Sequence, residues 1–306
     1  MKKSTKIILI IAICLLCAGL VLTAIGYLCG ASPRQIFHDN LWTWTSYDDD
    51  GSQSGDHHGK ARYDNDFDES NAYSIDPAGI DSLYIDWIDG DIEIIPYDGD
   101  QIRLEESCKA GIDEDNCLRY RVKNRELYIS CCREASYEIG FFSSSSDSPN
   151  RRDLNKKLVV KVPKALAAKL DTLEIDAVSS DITVNGFTLN EFCTDTVSGS
   201  ITVLRSSIDE IDTDTVSGNI DLALLHCPNT FNADSTSGNI TLQLPSGSSF
   251  LLDFETVSGE PKIKGFDADC LYDEDGSYEY QAGSGRCEFT ADTVSGDLTI
   301  TEAGKK

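Results

Sequence analysis

Carboxylates recur at near-constant spacing down this chain of 306 residues: Asp176, Asp195, Asp214, Asp234, Glu255 and, after a longer step, Asp292. Most open a unit of the form Asp-Thr-Val-Ser-Gly, as at Asp195-Thr196-Val197-Ser198-Gly199, Asp214-Thr215-Val216-Ser217-Gly218 and Asp292-Thr293-Val294-Ser295-Gly296. Three kinds of chemistry use such groups. A pair of carboxylates converging on a groove hydrolyses glycosides. Several carboxylate oxygens together bind Ca²⁺. A serine beside a histidine and an aspartate performs acyl transfer. Each reading meets an obstacle. The acid returns in every copy, as a structural position does, whereas a catalytic pair occurs once. The short glycine-rich period of Ca²⁺-binding repeats is missing. His226 is the only histidine after residue 58, and serine before glycine is an ordinary corner. We therefore expect no catalytic residue, no metal site and no cofactor.

The spacing itself points to architecture. Aligned on the acid, with Asp86 as an early copy, the steps from Asp176 are about 19–21 residues until Glu255, then close to two periods to Asp292, a repeat of the solenoid kind. Three residues before the acid stand Leu83, Leu173, Phe192, Ile211, Phe231, Leu252 and Phe289. Six after it come Ile92, Ile182, Ile201, Ile220, Ile240, Pro261 and Leu298, and eight after it Ile94, Val184, Val203, Leu222, Leu242, Ile263 and Ile300. Columns of like residues meet if coils lie directly above one another, which predicts an all-β, single-stranded β-helix or β-solenoid with ~19–21-residue coils. Two residues after the acid, Ile88, Val178, Val197, Val216, Thr236, Val257 and Val294 are also expected inside, which requires bends at Asp-Thr and near Ser-Gly. One coil is expected to be degenerate or looped out between Lys264 and Arg286. Pro163 to Lys169 reads as a single helical turn.

The rest of the chain fixes what carries this domain. Ile7 to Leu28 is a near-continuous apolar run long enough to span a bilayer, preceded by Lys2, Lys3 and Lys6. It predicts one N-terminal transmembrane helix (7–28), a cytoplasmic tail (1–6) and an extracytoplasmic remainder; a cleaved signal peptide is the competing reading. Residues 29–71 form a juxtamembrane segment and an acidic stalk too poor in aliphatics to offset its ordering entropy. His57-His58 falls there, without further ligands at metal spacing. The domain spans 72–302. A net charge of −26, with 52 acidic against 26 basic residues, excludes nucleic acid as a partner.

Eleven cysteines are present. Cys14, Cys17 and Cys29 lie in or beside the apolar run. Of the others, two pairs bracket loop-like stretches and are the expected disulfides: Cys108 with Cys117, and Cys270 with Cys287.

The Asp/Glu-Thr-Val-Ser-Gly-x-Ile-Thr-Val repeat, with the strands at Ile94-Ile95-Pro96 and Leu158-Val159-Val160-Lys161-Val162-Pro163, resembles the bacterial putative adhesin family, a domain of unknown function. The resemblance runs from about Asn71 to Glu302. It implies a β-helix-like fold at the cell envelope behind a membrane helix, and no catalytic residues. The expected function is a non-catalytic binding or scaffold module, its partners the membrane through the N-terminal helix and an envelope protein or glycan. Alternatives are an envelope-stress sensor acting through a membrane partner and a polysaccharide-active enzyme.

Overall fold

A computed structural model describes residues 72–108, 111–112, 117–131 and 156–304. The expected tail, membrane helix and stalk lie outside the described residues, among which no helix is long and apolar enough to cross a membrane.

The chain opens with β1 (Ala72–Ile75) and the long β2 (Ser82–Tyr97), followed by β3 (Ile102–Cys108), β4 (Arg119–Lys123), β5 (Glu126–Ser130) and β6 (Lys156–Pro163). The one helical turn, α1 (Lys164–Ala167), stands where Pro163 sets the backbone for it. Then come β7 (Leu170–Ser179), β8 (Ile182–Asn185), β9 (Thr188–Ser198), β10 (Ile201–Ser217), β11 (Ile220–Leu224), β12 (Thr230–Ser237) and β13 (Ile240–Leu244). The last elements are β14 (Phe250–Ser258), β15 (Pro261–Lys264), β16 (Ala268–Glu274), β17 (Ser277–Ala282), β18 (Cys287–Ser295) and β19 (Leu298–Glu302).

Each copy of the repeat is one rung with two arms. The acid-bearing arm belongs to one sheet, the Ile-x-Val arm to a second, and β2 and β10 turn the corner to serve both. In the acid-bearing sheet the parallel order is β5, β2, β7, β9, β10, β12, β18, β14. In the second it is β6, β2, β8, β10, β11, β13, β19, β15. The stack is thus a β-solenoid whose order departs from chain order at both ends. β2 lies between the later rungs β5–β6 and β7–β8, and the final rung, β18–β19, is inserted between β12–β13 and β14–β15. Of the two expectations for the long step from Glu255 to Asp292, the looped-out segment is the one found, not a degenerate coil. It holds the antiparallel hairpin β16–β17, which pairs with β14 and covers the end of the stack. At the other end β4 covers β5, and β3 covers β6, both antiparallel.

The interior is built by strict alternation. Going along β9, Phe192, Thr194 and Thr196 are buried, while Asp195 and Val197 face out. This corrects the expected inward column after the acid: Val178, Val197, Val216 and Val257 are 44–53% exposed. The strand does not bend at Asp-Thr, so side chains keep pointing to alternate faces and the residue after the acid points inward in place of the valine. Inside, the column before the acid carries an aromatic run at the inserted rung. Phe289 stacks on Phe250 at 5.0 Å and meets Phe231 edge-on at 5.6 Å. Such pairs add about 0.5–1.5 kcal/mol each beyond burial.

The glycine of each corner is demanded by close approach. A Cβ on Gly218 would lie 1.9 Å from the carbonyl oxygen of Gly199, and one on Gly238 would lie 1.7 Å from that of Gly218. Beside this column runs a side-chain ladder: Asp181 Oδ1 accepts the N–H of Ser200, Asn219 Oδ1 that of Asn239, Asn239 Oδ1 that of Asp297 and Asp297 Oδ1 that of Glu260. Each side chain satisfies a backbone donor that the corner would leave open.

The first rungs enclose a fully buried ion pair, Lys156 with Glu106. Lys156 Nζ also donates to Cys131 O at 2.7 Å and lies 5.0 Å from the centre of the Trp87 ring. Glu106 Oε2 accepts the Leu118 N–H at 2.9 Å. Burial raises the Glu106 pKa, and the ammonium beside it pulls the other way.

Candidate functional site

The outward face of the acid-bearing sheet is the most regular chemical feature of the molecule. The registers bring the carboxylates into one unbroken line: Asp86, Asp176, Asp195, Asp214, Asp234, Asp292, Glu255. The line holds the seven acids that the repeat aligned, but its last two members exchange places, with Asp292 between Asp234 and Glu255. Ser130 pairs with Asp86 at one end and Ser277 with Glu255 at the other, so a hydroxyl residue closes each end of the row.

Parallel strands are about 4.8 Å apart, so neighbouring carboxylates repel by about 1 kcal/mol or less in water and by more where water is excluded. The consequence is visible in their acidity. Partial burial, reinforced by Glu174, Asp195 and Asp86, pushes Asp176 up to about 7. Asp214 and Asp292 rise to about 6 for the same two reasons, burial first and neighbouring carboxylates second. Asp195 and Asp234 are raised as well, and Asp234 is partly relieved by a hydrogen bond from the Asp292 backbone.

On one side of this row, two residues further along each strand, runs the mostly apolar column Ile88, Val178, Val197, Val216, Thr236, Val294, Val257, of which Val178, Val197, Val216 and Val257 are exposed and Ile88 and Val294 half-buried. On the other side, two residues earlier, stand Tyr84, Glu174, Cys193, Asp212, Asn232, Thr290 and Asp253. Burial and the Glu191 carboxylate push the Cys193 thiol up to about 12, so it is not a thiolate nucleophile near neutrality. The face is flat and repeats itself rung by rung.

Other arrangements do not assemble chemistry. His226 Nε2 meets Asp209 Oδ1 at 3.0 Å, with no serine hydroxyl bonded to it. The serines before each corner glycine are exposed, and their carbonyls serve the next rung, as in Gly199 N–H to Ser217 O at 3.0 Å. Among the described residues no three His, Cys, Asp or Glu side chains are grouped to hold a metal ion. A row with one carboxylate per rung offers a line of charges in place of a cage.

One of the two expected cysteine pairings, Cys270 with Cys287, falls differently from expectation. Cys270 lies on β16 and Cys287 on β18, with β17 and β14 between them. Three strand spacings put them roughly 14 Å apart, beyond the ~4.4–6.8 Å Cα separation a disulfide needs. That pairing is ruled out by the inserted rung, which sequence could not show. Cys287 instead meets Cys227. The buried Lys156–Glu106 pair was also missed. Its only sequence signal is a charged residue at an inward position of each strand.

The family described as Toastrack DUF4097 matches residues 80–227 and, in a second overlapping match, 195–301. The chain belongs to this family. Its description marks a domain of unknown function, as the repeat implied. Among curated proteins none matches the chain. Similar solved structures include a putative cell adhesion protein from Clostridium sporogenes, at 15% identity and TM-score 0.45, covering 76% of this chain and 98% of that one. A putative adhesin from Bacteroides fragilis is 15% identical, with TM-score 0.41 over 76% and 95% of the two chains. A third, from Parabacteroides distasonis, is 14% identical, with TM-score 0.32 over 76% and 96%.

Proposed function

We propose that this Toastrack chain is a non-catalytic binding or scaffold module held at the outer side of a cell membrane by residues 7–28, with residues 1–6 in the cytoplasm. The observation that carries the reading is the outward face of the acid-bearing sheet. A row of carboxylates and a parallel stripe of valines run the length of the stack, each rung offering the same groups. Catalysis needs unlike groups converging on one reacting atom. Here like groups diverge along a line, which suits an extended partner that makes the same contact several times. The carboxylates exclude polyanions, and their mutual repulsion favours a neutral or cationic surface, either a glycan or an envelope protein.

The test uses the full-length chain as bait against envelope extracts and a glycan array. The reading expects capture that is lost in the pair Val197→Lys/Val216→Lys and retained in a substitution on the opposite sheet, such as Thr241→Lys. Equal capture by both variants removes the face from consideration. Turnover of any polysaccharide, abolished by one acid substitution and not by its stacked neighbours, overturns the non-catalytic reading.

A further inference from the structure

Cys227 lies in the turn between β11 and β12, and Cys287 opens β18. The Cys287 thiol lies near enough to Cys227 that, after burial, it helps push the Cys227 thiol up to about 12. The backbone brings them near each other independently: Glu288 N–H donates to Asn229 O at 2.9 Å, and Thr230 is in register with Glu288, so Cys287 stands opposite Asn229, two residues from Cys227. The turn before β14 completes the cluster: Ser249 O accepts the Cys287 N–H at 3.1 Å. Three rungs therefore meet here, those begun by β12, β18 and β14. It is the corner where chain order and stacking order separate.

We infer that Cys227 and Cys287 form a disulfide that staples the inserted rung β18–β19 to the rung on which it stacks. The oxidant is a disulfide-bearing thiol oxidoreductase or a small-molecule disulfide. Cys287 is buried, whereas Cys227 is half-buried and reaches the surface, so Cys227 is the sulfur that meets the oxidant. Cys227 gives up its proton as it attacks one sulfur of the donor disulfide, forming a mixed disulfide and releasing a donor thiol. Cys287, giving up its proton, then attacks the Cys227 sulfur, and the second donor sulfur leaves. Two electrons and two protons pass to the donor, which departs as a dithiol. In the cell this rests on the extracytoplasmic placement proposed above, since such bonds persist in oxidising compartments.

Two measurements separate the site from the placement. First, the reduced full-length chain is equilibrated in glutathione buffers of graded potential, free thiols are blocked with N-ethylmaleimide, and peptides are mapped without reduction. The inference expects a linked pair of peptides containing Cys227 and Cys287. In Cys227→Ser, Cys287 becomes fully blocked, and in Cys287→Ser so does Cys227. Blocked thiols at both positions in the wild-type chain at every potential overturn the inference. Second, thiols are blocked in intact cells before lysis. Linkage there supports both the bond and the placement. Linkage in the buffers but not in cells leaves the site standing and overturns the extracytoplasmic placement. As a structural readout, the oxidised wild-type chain is expected to resist proteolysis within residues 287–302 at least tenfold longer than Cys227→Ser.

Discussion

From β7 to β12 each rung of the solenoid lies on the one made just before it, while at both ends the neighbour comes from elsewhere in the chain. The middle rungs are held by repetition: a glycine too close to the next carbonyl for any side chain, an inward Thr or Ser, and an amide or carboxylate ladder along the corner. The ends are held by groups that occur once. At the first rungs these are Trp87 and the Lys156–Glu106 pair, and at the last rungs the Phe231–Phe289–Phe250 contacts and the Cys227–Cys287 corner. Identical rungs stack on any copy of themselves, so they confer cooperativity but no choice of neighbour. A rung that must be clasped between two others needs a feature that no other rung offers.

Substitutions can break that contrast, and the largest effect belongs to an end. Lys156→Met strands a buried carboxylate, with an expected loss of about 3–5 kcal/mol in denaturant unfolding, whereas Lys156→Met with Glu106→Leu recovers most of it. If both variants lose equally, the pair is not what holds the first rungs. In the middle, Gly218→Ala drives a methyl into the Gly199 carbonyl and is expected to cost about 3 kcal/mol. Gly247→Ala, in open space at φ +78, is expected to cost only about 1 kcal/mol from backbone strain.

Inside the stack, the Thr215 hydroxyl is buried without a hydrogen-bond partner. Thr215→Val keeps the shape and removes the unpaired group, and is expected to stabilise by about 1 kcal/mol. Equal or lower stability would show that the inward hydroxyls contribute more than volume.

The carboxylate row gives a pH dependence of definite sign. Asp176 is raised to about 7, and Asp214 and Asp292 to about 6, so the folded chain holds protons that the unfolded chain has already lost. Through these groups stability is greatest near pH 4, falls as pH rises through 6 and 7, and levels off above. The melting temperature is therefore expected to be higher at pH 5 than at pH 8. Asp176→Asn should flatten the change and raise the value at pH 8. An unchanged profile in that variant would mean that the row is not strained. The smallest expected effect is on the stripe: Val197→Thr should alter stability by no more than about 0.5 kcal/mol, measured by the same unfolding assay.

Much of a single rung was legible before the fold. The columns Phe192 and Phe231, Ile201 and Ile220, and Val203 and Leu222 are buried as their spacing required. The helical turn after Pro163 also stands where it was expected. The valine column was misplaced because two apolar residues flanking an acid were both assumed to be inside. Straight alternation puts the smaller, polar threonine inward, where its methyl fills the layer. The acid row and the closeness of its like charges were visible in the recurrence, but not its order, since Asp292 takes the place before Glu255.

The sequence by itself determined the rung: its length, its alternation, its glycine corner and the acid on its outer face. All of these follow from local geometry and from the period. The order of the rungs was decided only in the tertiary structure. Every copy presents the same columns to its neighbours, so no column can say which copy lies next to which. The hairpin β16–β17 over β14, the contacts of Phe289 between Phe231 and Phe250, and the approach of Cys287 to Cys227 set that order. These are contacts between residues far apart in the chain.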